Sequence, residues 1–312
     1  MSDAAPVILI SHPMLAPMRA PLEAQGWRVV GRWEMTEAEP GDVRAIVHAG
    51  EIPLTPEFLG SLPKLGLIAN VSVGYDGVDV PWCRAHGIEV THAKGLNAED
   101  VADHALGLLI AAWRSIAAGD QLVRGGGGWR DADRMKPQPS LKGRKVGIVG
   151  LGAIGEAVAR RVEAMGMSVA WWGPRAKAAP WPRAATLLDL ARDSDILVVA
   201  ARAEASNRGL VSREVIEAVG RQGLIVNVAR GSLIDEDALI AALKEGRLGR
   251  AGLDVFAEEP TPPERWAGVP NTVLTPHTAG GTTDSIPRMV AQAVENVRLF
   301  LAGEPVMSPV AS

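Results

Sequence analysis

Three polar residues each stand just beyond an apolar run. Arg230 follows Ile225-Val226-Asn227-Val228-Ala229, Glu259 follows Leu253-Asp254-Val255-Phe256-Ala257-Glu258, and His277 sits in Leu274-Thr275-Pro276-His277-Thr278-Ala279-Gly280. Read as parallel strands, those runs carry all three side chains beyond strand carboxyl ends, the face on which open α/β sheets bind ligands. A guanidinium, a carboxylate and an imidazole converging there suit the reduction of a carbonyl. Hydride arriving at the carbonyl carbon leaves an alkoxide, which an imidazolium protonates. A neighbouring carboxylate holds the ring and raises its pKa toward neutrality. The guanidinium clamps an anionic substrate group and polarises the carbonyl. Singly, each residue has a plainer reading: a turn arginine, a solvated glutamate before Pro260, a satisfied loop histidine. Their shared topological position sets them apart.

The hydride carrier has its own signature upstream. Val146-Gly147-Ile148-Val149 runs into Gly150-Leu151-Gly152-Ala153-Ile154-Gly155, and a helical pattern over 156–165 follows at once. Gly150 permits the tight turn, Gly152 lets the backbone approach a pyrophosphate, and Gly155 lets helix and strand pack closely. N–H groups at the helix start, with the helix dipole, then favour the anion. The stretch predicts a nicotinamide or flavin cofactor. In an NAD site, an acidic residue about 20 positions past the first glycine takes the ribose 2′-hydroxyl. Here the second strand ends Trp171-Trp172-Gly173-Pro174-Arg175-Ala176-Lys177, and the next carboxylate is Asp189. A guanidinium pairs with a 2′-phosphate that an aspartate would repel. Arg175 and Lys177 therefore predict NADPH over NADH; the plainer alternative is a solvated loop on a non-selective enzyme. Asp254 closes an apolar strand and costs energy there unless partnered. It is expected to accept from the cofactor amide or from backbone N–H groups.

These residues need a scaffold of alternating strands and helices, and the apolar pattern supplies one. Short buried strands are predicted at 7–11, 27–33, 45–48, 65–71 and 88–91, with helical patterns at 18–25 and 56–62. A long apolar helix over 98–123 ends at four glycines, and loop signals fill 129–140. A second series has strands at 145–150, 168–172, 196–200, 224–228, 251–255 and 272–275, with helices at 153–165, 213–218 and 237–245. A last helix spans 284–303. The fold class is α/β: a Rossmann-type doubly wound parallel sheet plus a second, flavodoxin-like lobe. We divide the chain into a dinucleotide-binding domain, 97–283, and a discontinuous substrate-binding domain, 1–96 with 284–312. Ligand sites favour domain interfaces, so substrate is expected in the cleft between the lobes.

Bulk properties narrow the class. A chain of 312 residues, 47% hydrophobic, is long enough for about two domains. A net charge of -4 with scattered Lys and Arg leaves no footprint for nucleic acid. The longest apolar run, 105–113, falls short of the ~20 residues of a membrane span, and the N-terminus lacks a signal-peptide pattern. The single cysteine, Cys83, reads as buried and structural. Together these predict a soluble, cytoplasmic protein with no nucleic-acid or membrane partner. Among the other histidines, His12, His48, His86, His92 and His104, no pair has metal-ligand spacing, so no metal is expected.

Taken together, the motifs match a family. Gly-Leu-Gly-Ala-Ile-Gly (150–155), Val-Asn-Val-Ala-Arg-Gly (226–231), Gly-Leu-Asp-Val-Phe-x-x-Glu-Pro (252–260) and Thr-Pro-His-x-Ala-Gly (275–280) resemble, in order and spacing, the D-isomer-specific 2-hydroxyacid dehydrogenases. The glyoxylate/hydroxypyruvate and hydroxyphenylpyruvate reductase branch is the most similar. The resemblance implies reduction of a small 2-oxo acid to a D-2-hydroxy acid, with Arg230 binding substrate, Glu259 partnering His277, and His277 as acid/base. It implies Val73 and Gly74 as backbone donors to the substrate carboxylate, which a glycine turn can supply. Cofactor contacts are expected at Gly150, Gly152, Ala153, Ile154, Gly155, Gly173, Arg175, Lys177, Ala201, Val228, Ala229, Arg230, Asp254, His277, Ala279 and Gly280. The resemblance further implies a homodimer joined through the long helix, with Trp129 reaching the neighbouring subunit's cleft. The chain departs from the family at Ala201-Arg202-Ala203-Glu204-Ala205-Ser206-Asn207, usually Pro-Leu-Thr-rich, at Asp103, where glutamate is common, and at Pro174, which intervenes before the arginine. Alternatives are an NADH-preferring dehydrogenase and a nucleotide-sensing, corepressor-like binding protein. Formate oxidation ranks low, because that branch uses an amide where this chain has Glu259.

Overall fold

The computed structural model describes residues 6–36, 40–125, 129–130 and 137–310. Most of the glycine run at 125–128 and half of the predicted 129–140 loop thus lie outside the described residues. The chain forms two compact units, Met1–Asn97 with Thr282–Ser312, and Ala98–Gly281.

In the first unit the strands are β1 (Val7–Ile10), β2 (Arg28–Gly31), β3 (Val43–His48), β4 (Leu67–Asn70) and β5 (Glu89–Thr91). They pair in parallel in the order β2-β1-β3-β4-β5. That is the flavodoxin-like order, built from strands that are mostly buried and mostly apolar. Helices α1 (Arg19–Glu23), α2 (Pro56–Gly60) and α3 (Val80–Ala85) are short. Thr55 and Asp79 cap α2 and α3 by accepting from Phe58 and Trp82 N–H, each with proline in the first turn. The segment after β2 is a 3-10 turn, Arg32–Glu34, so the strand ends earlier than the predicted 27–33.

The second unit opens with α4 (Ala98–Trp113) and α5 (Ile116–Arg124). The sequence predicts one helix over 98–123, and here the structure corrects it: the two segments meet at 62° around Ser115, which takes the left-handed conformation at φ 54°. No single helix among the described residues is long and apolar enough to cross a membrane. Six strands follow: β6 (Lys145–Val149), β7 (Ser168–Trp172), β8 (Ile196–Val199), β9 (Leu224–Asn227), β10 (Arg250–Leu253) and β11 (Thr272–Leu274). Between them run α6 (Ala153–Ala164), α7 (Leu187–Arg192), α8 (Arg213–Val219), α9 (Glu236–Lys244) and α10 (Pro263–Trp266). The last helix, α11 (Ser285–Ala302), belongs to the first unit and packs Met289, Ala293 and Val297 on its core. The six strands are all parallel, in the order β11-β10-β9-β8-β6-β7. The chain leaves β6 for β7 on one side and returns to β8 on the other. Such a reversal opens a crevice at the carboxyl ends of β6 and β8. A Rossmann-type sheet in one unit and a second parallel α/β sheet in the other make up the fold class that the sequence pattern predicts.

Candidate active site

The fingerprint turn has the shape that a pyrophosphate cradle requires. Gly150 holds φ at +91°, and a Cβ there would lie 2.5 Å from Ala201 Cα. A Cβ on Gly155 would overlap the Gly150 carbonyl, so helix and strand touch backbone to backbone. At Gly152 a Cβ would meet nothing within 4 Å. Its lack of a side chain is therefore not demanded by the protein's own packing, which fits a backbone that a ligand approaches. Helices α7, α8 and α9 begin on the side-chain caps Thr186, Ser212 and Asp235, whereas α6 begins on Gly152 with no side-chain cap. The first-turn N–H groups of Ala153, Ile154 and Gly155 are thus presented as an anion site requires. These residues fit a dinucleotide.

At the far end of β7, Arg175 is exposed, whereas Lys177 is ion-paired with Glu156 of α6. The Gly173 carbonyl accepts from Arg183 (2.7 Å), whose guanidinium lies 5.8 Å from the Trp171 ring centroid. Arg183 has no motif to mark it in the sequence; its signal is its place opposite Trp171 in a parallel bridge that extends the sheet edge.

His277 and Glu259 meet as expected. Imidazole Nδ1 donates to Glu259 Oε2 at 2.6 Å, and the other carboxylate oxygen accepts from Phe256 N–H at 2.9 Å. Burial pushes the Glu259 carboxyl up, but the hydrogen bonds from His277 and Phe256 and the Arg230 charge outweigh it and hold it below its ordinary value. Glu259 is therefore an anion near neutral pH, and an anion on Nδ1 favours the imidazolium.

Arg230 comes from the turn after β9. Buried Asn227 shapes that turn: its amide donates to the Arg230 carbonyl (3.0 Å) while its oxygen accepts from Ala229 N–H (3.0 Å). Arg230 itself donates to the Ala229 carbonyl (2.8 Å). Val228 and Ala229 are buried in the same turn. Gly231 presses directly on the Phe256–Ala257 peptide, which a Cβ would overlap. The arginine-bearing and glutamate-bearing loops are therefore in backbone contact.

Asp254 is 1% exposed. Of the two roles expected for it, the structure displays the backbone one. Oδ1 accepts from Thr278 N–H (3.0 Å) and Thr275 hydroxyl (2.5 Å), and Oδ2 from Ala279 N–H (2.9 Å). The Asp254 carbonyl takes His277 N–H at 2.8 Å. His104 of α4 donates to Thr275 Oγ1 (2.9 Å) and lies 3.3 Å from the Asp254 carboxylate. Asp254 thus pins the loop that bears His277. In the first unit, the Val73-Gly74 turn is tied by Ser72, whose hydroxyl donates to the Gly74 carbonyl (2.8 Å) and accepts from Gly50 N–H (2.9 Å). His92 Nδ1 donates to the Val73 carbonyl at 3.0 Å. His48 is buried between Ser11 and the Ile52 carbonyl, and burial pushes its pKa down to about 4, so it is structural. Cys83 is buried, its thiol pushed up to about 11 by burial and by Asp79, which leaves it inert.

Known proteins match this arrangement. The family described as D-isomer specific 2-hydroxyacid dehydrogenase, NAD binding domain, matches residues 106–279. A glyoxylate/hydroxypyruvate reductase of Arabidopsis thaliana is 39% identical over 86% of this chain and 83% of its own. A hydroxyphenylpyruvate reductase of Plectranthus scutellarioides is 36% identical over 95% and 97%. Among solved structures, an NADPH-dependent glyoxylate/hydroxypyruvate reductase of Sinorhizobium meliloti, in complex with NADP and malonate, superposes with a TM-score of 0.89 at 34% identity, covering 99% of this chain and 97% of that one. Glycine turn, cradle and the three converging side chains all fall inside the matched segment, and the chain belongs to the D-isomer specific 2-hydroxyacid dehydrogenase family.

Proposed function

We propose that this protein is an NADPH-dependent reductase of a small 2-oxo acid, such as glyoxylate or hydroxypyruvate, forming the D-2-hydroxy acid. The observation that carries the reading is the 2.6 Å bond from His277 to Glu259, a carboxylate that also feels the Arg230 charge. The similar reductases from Arabidopsis and Sinorhizobium support it.

When bound, the nicotinamide supplies a hydride for the substrate's C2 carbon. Arg230 pairs with the substrate carboxylate and polarises its keto oxygen. Glu259 holds His277 by Nδ1, so proton exchange with that oxygen falls to Nε2. The imidazolium gives its proton as the alkoxide forms, and in the reverse direction the neutral ring takes it back. Val73 and Gly74, through the resemblance, supply backbone N–H groups to the carboxylate. Gly150, Gly152, Ala153, Ile154 and Gly155 hold the pyrophosphate, Arg175 the 2′-phosphate, and Val228, Ala229, Ala279 and Gly280 line the nicotinamide end. The absence of a carboxylate after β7, with Arg175 exposed there, favours NADPH over NADH.

We place the protein in the cytoplasm as a homodimer. Exposed Ile116, Leu122 and Val123 on α5, with exposed Trp129 beyond it, are the apolar surface that supports the dimer. Steady-state assays with NADPH on glyoxylate, hydroxypyruvate, phenylpyruvate and 2-ketogluconate test the activity. His277→Ala is expected to lose at least ~10²-fold in kcat on the best of these, as for a lost general acid. Near-normal turnover in that variant rejects the assignment. No turnover on any 2-oxo acid favours a nucleotide-sensing binding protein instead.

A further inference from the structure

Two carboxylates are buried among the described residues, Asp254 at 1% and Glu236 at 7% exposure. Charges are costly to bury, and each must be held by good partners. Asp254 is explained: it organises the His277 loop. Glu236 lies outside every motif that carries the chemistry, yet its partners lead to the same place. It is the first residue of α9, where the helix dipole favours an anion. One of its oxygens accepts from Ala257 N–H at 2.8 Å, and the other is ion-paired with Arg265 of α10, which also reaches Asp237. Ala257 follows Phe256, whose own N–H binds Glu259, and precedes Glu259 by two residues. Ala257 and Glu236 also line a cavity of about 320 Å³, together with Arg208, Ser232 and Arg265. The Ala257 peptide thus meets Gly231 backbone to backbone and is hydrogen-bonded to Glu236.

We propose that Glu236 is a positioning residue for proton transfer, acting through Ala257 to keep the Glu259 carboxylate on His277. This deepens the reading of His277 as the acid and rests on it. Charged or titratable groups near the His277–Glu259 pair, among the described residues, include Arg230 from the turn after β9, Asp254 at the end of β10, and His104 of α4 behind Thr275. Glu236 with Arg265 approaches through the loop's backbone rather than as a direct neighbour.

The test compares Glu236→Leu, Glu236→Gln and Glu236→Asp in the full chain. The amide of Glu236→Gln keeps an oxygen for Ala257 N–H, whereas aspartate keeps the charge but withdraws by one methylene. His277 is titrated by NMR of its imidazole in cofactor-free protein, alongside kcat, KM and thermal stability. Glu236→Leu is expected to lower the His277 midpoint by ~0.5 to 1 pH unit, a three- to tenfold loss of imidazolium above the midpoint. Its kcat for reduction falls about tenfold at mildly alkaline pH with KM changed less than about threefold, since a transition-state interaction is loosened. Glu236→Gln restores both. If the leucine variant does not fold, Glu236→Asp carries the same expectation for the midpoint. A folded leucine or aspartate variant with the His277 midpoint unmoved overturns the proposal, even with reduced stability. Because that midpoint is read without turnover, its failure is distinct from a failure of His277 as the catalytic acid.

Discussion

His277 takes a left-handed backbone conformation, φ 53°, which few side chains other than glycine adopt. Such strain costs about 1–3 kcal/mol and persists where surroundings over-determine it. Here the surroundings are the Asp254 carbonyl on its own N–H and the Asp254 carboxylate on the two N–H groups that follow. The same fixed loop then offers Nδ1 to Glu259. At the same scale, the proposed contact with the cofactor phosphate can be tested. Arg175 and Lys177 look equivalent in sequence, but Glu156 already occupies Lys177. Arg175→Ser should raise the KM for NADPH about tenfold, ~1.4 kcal/mol, and leave that for NADH nearly unchanged. Lys177→Ser should do less. Equal effects of Arg175→Ser on both cofactors would remove the 2′-phosphate from this position. The proposed acid/base residues are legible in the sequence because each stands just beyond an apolar run. Asn227 and Glu236 are not, because their meaning lies in hydrogen bonds that close only once β9, α9 and the 254–259 loop are folded together.

Among the elements, the strands are the easiest to read. Parallel strands covered on both faces are near-continuous apolar runs, and β1, β4, β8 and β9 are buried at every residue. The turn at Ser115 is hidden because Arg114-Ser115 interrupts a helical pattern with residues a helix tolerates. Short α7 is too brief to show a full apolar period, although Thr186 capping Asp189 N–H is a recognisable start. The fingerprint element makes its own prediction, because its glycines do different work. Gly155→Ala drives a methyl into the Gly150 carbonyl and should cost about 1–3 kcal/mol of stability, as overpacking does. Gly152→Ala meets open space and should leave the melting temperature unchanged while weakening NADPH binding severely. Thermal unfolding with and without NADPH separates the two, and a destabilised Gly152→Ala would make that glycine structural.

On the scale of the whole molecule, the parallel pairing of both sheets follows from alternating strands and helices, since parallel neighbours require crossovers, whereas the strand orders are set by which face each crossover takes. Assembly is tested through α5. Ile116→Glu with Val123→Glu places charge on two apolar residues that are 53% and 64% exposed, so the single chain should still fold. Light scattering should then report the mass of a single chain, against the doubled mass proposed for the parent. An unaltered dimer mass would take the interface away from α5.

The backbone contact at Gly231 reaches further than local packing. With no space for a side chain between that glycine and the Phe256–Ala257 peptide, the segments bearing Arg230 and Glu259 are held against each other. In the proposed reaction, substrate anchoring and proton supply would therefore share one backbone contact. On that reading, a change that re-aims the guanidinium would also disturb the carboxylate, and with it the imidazole.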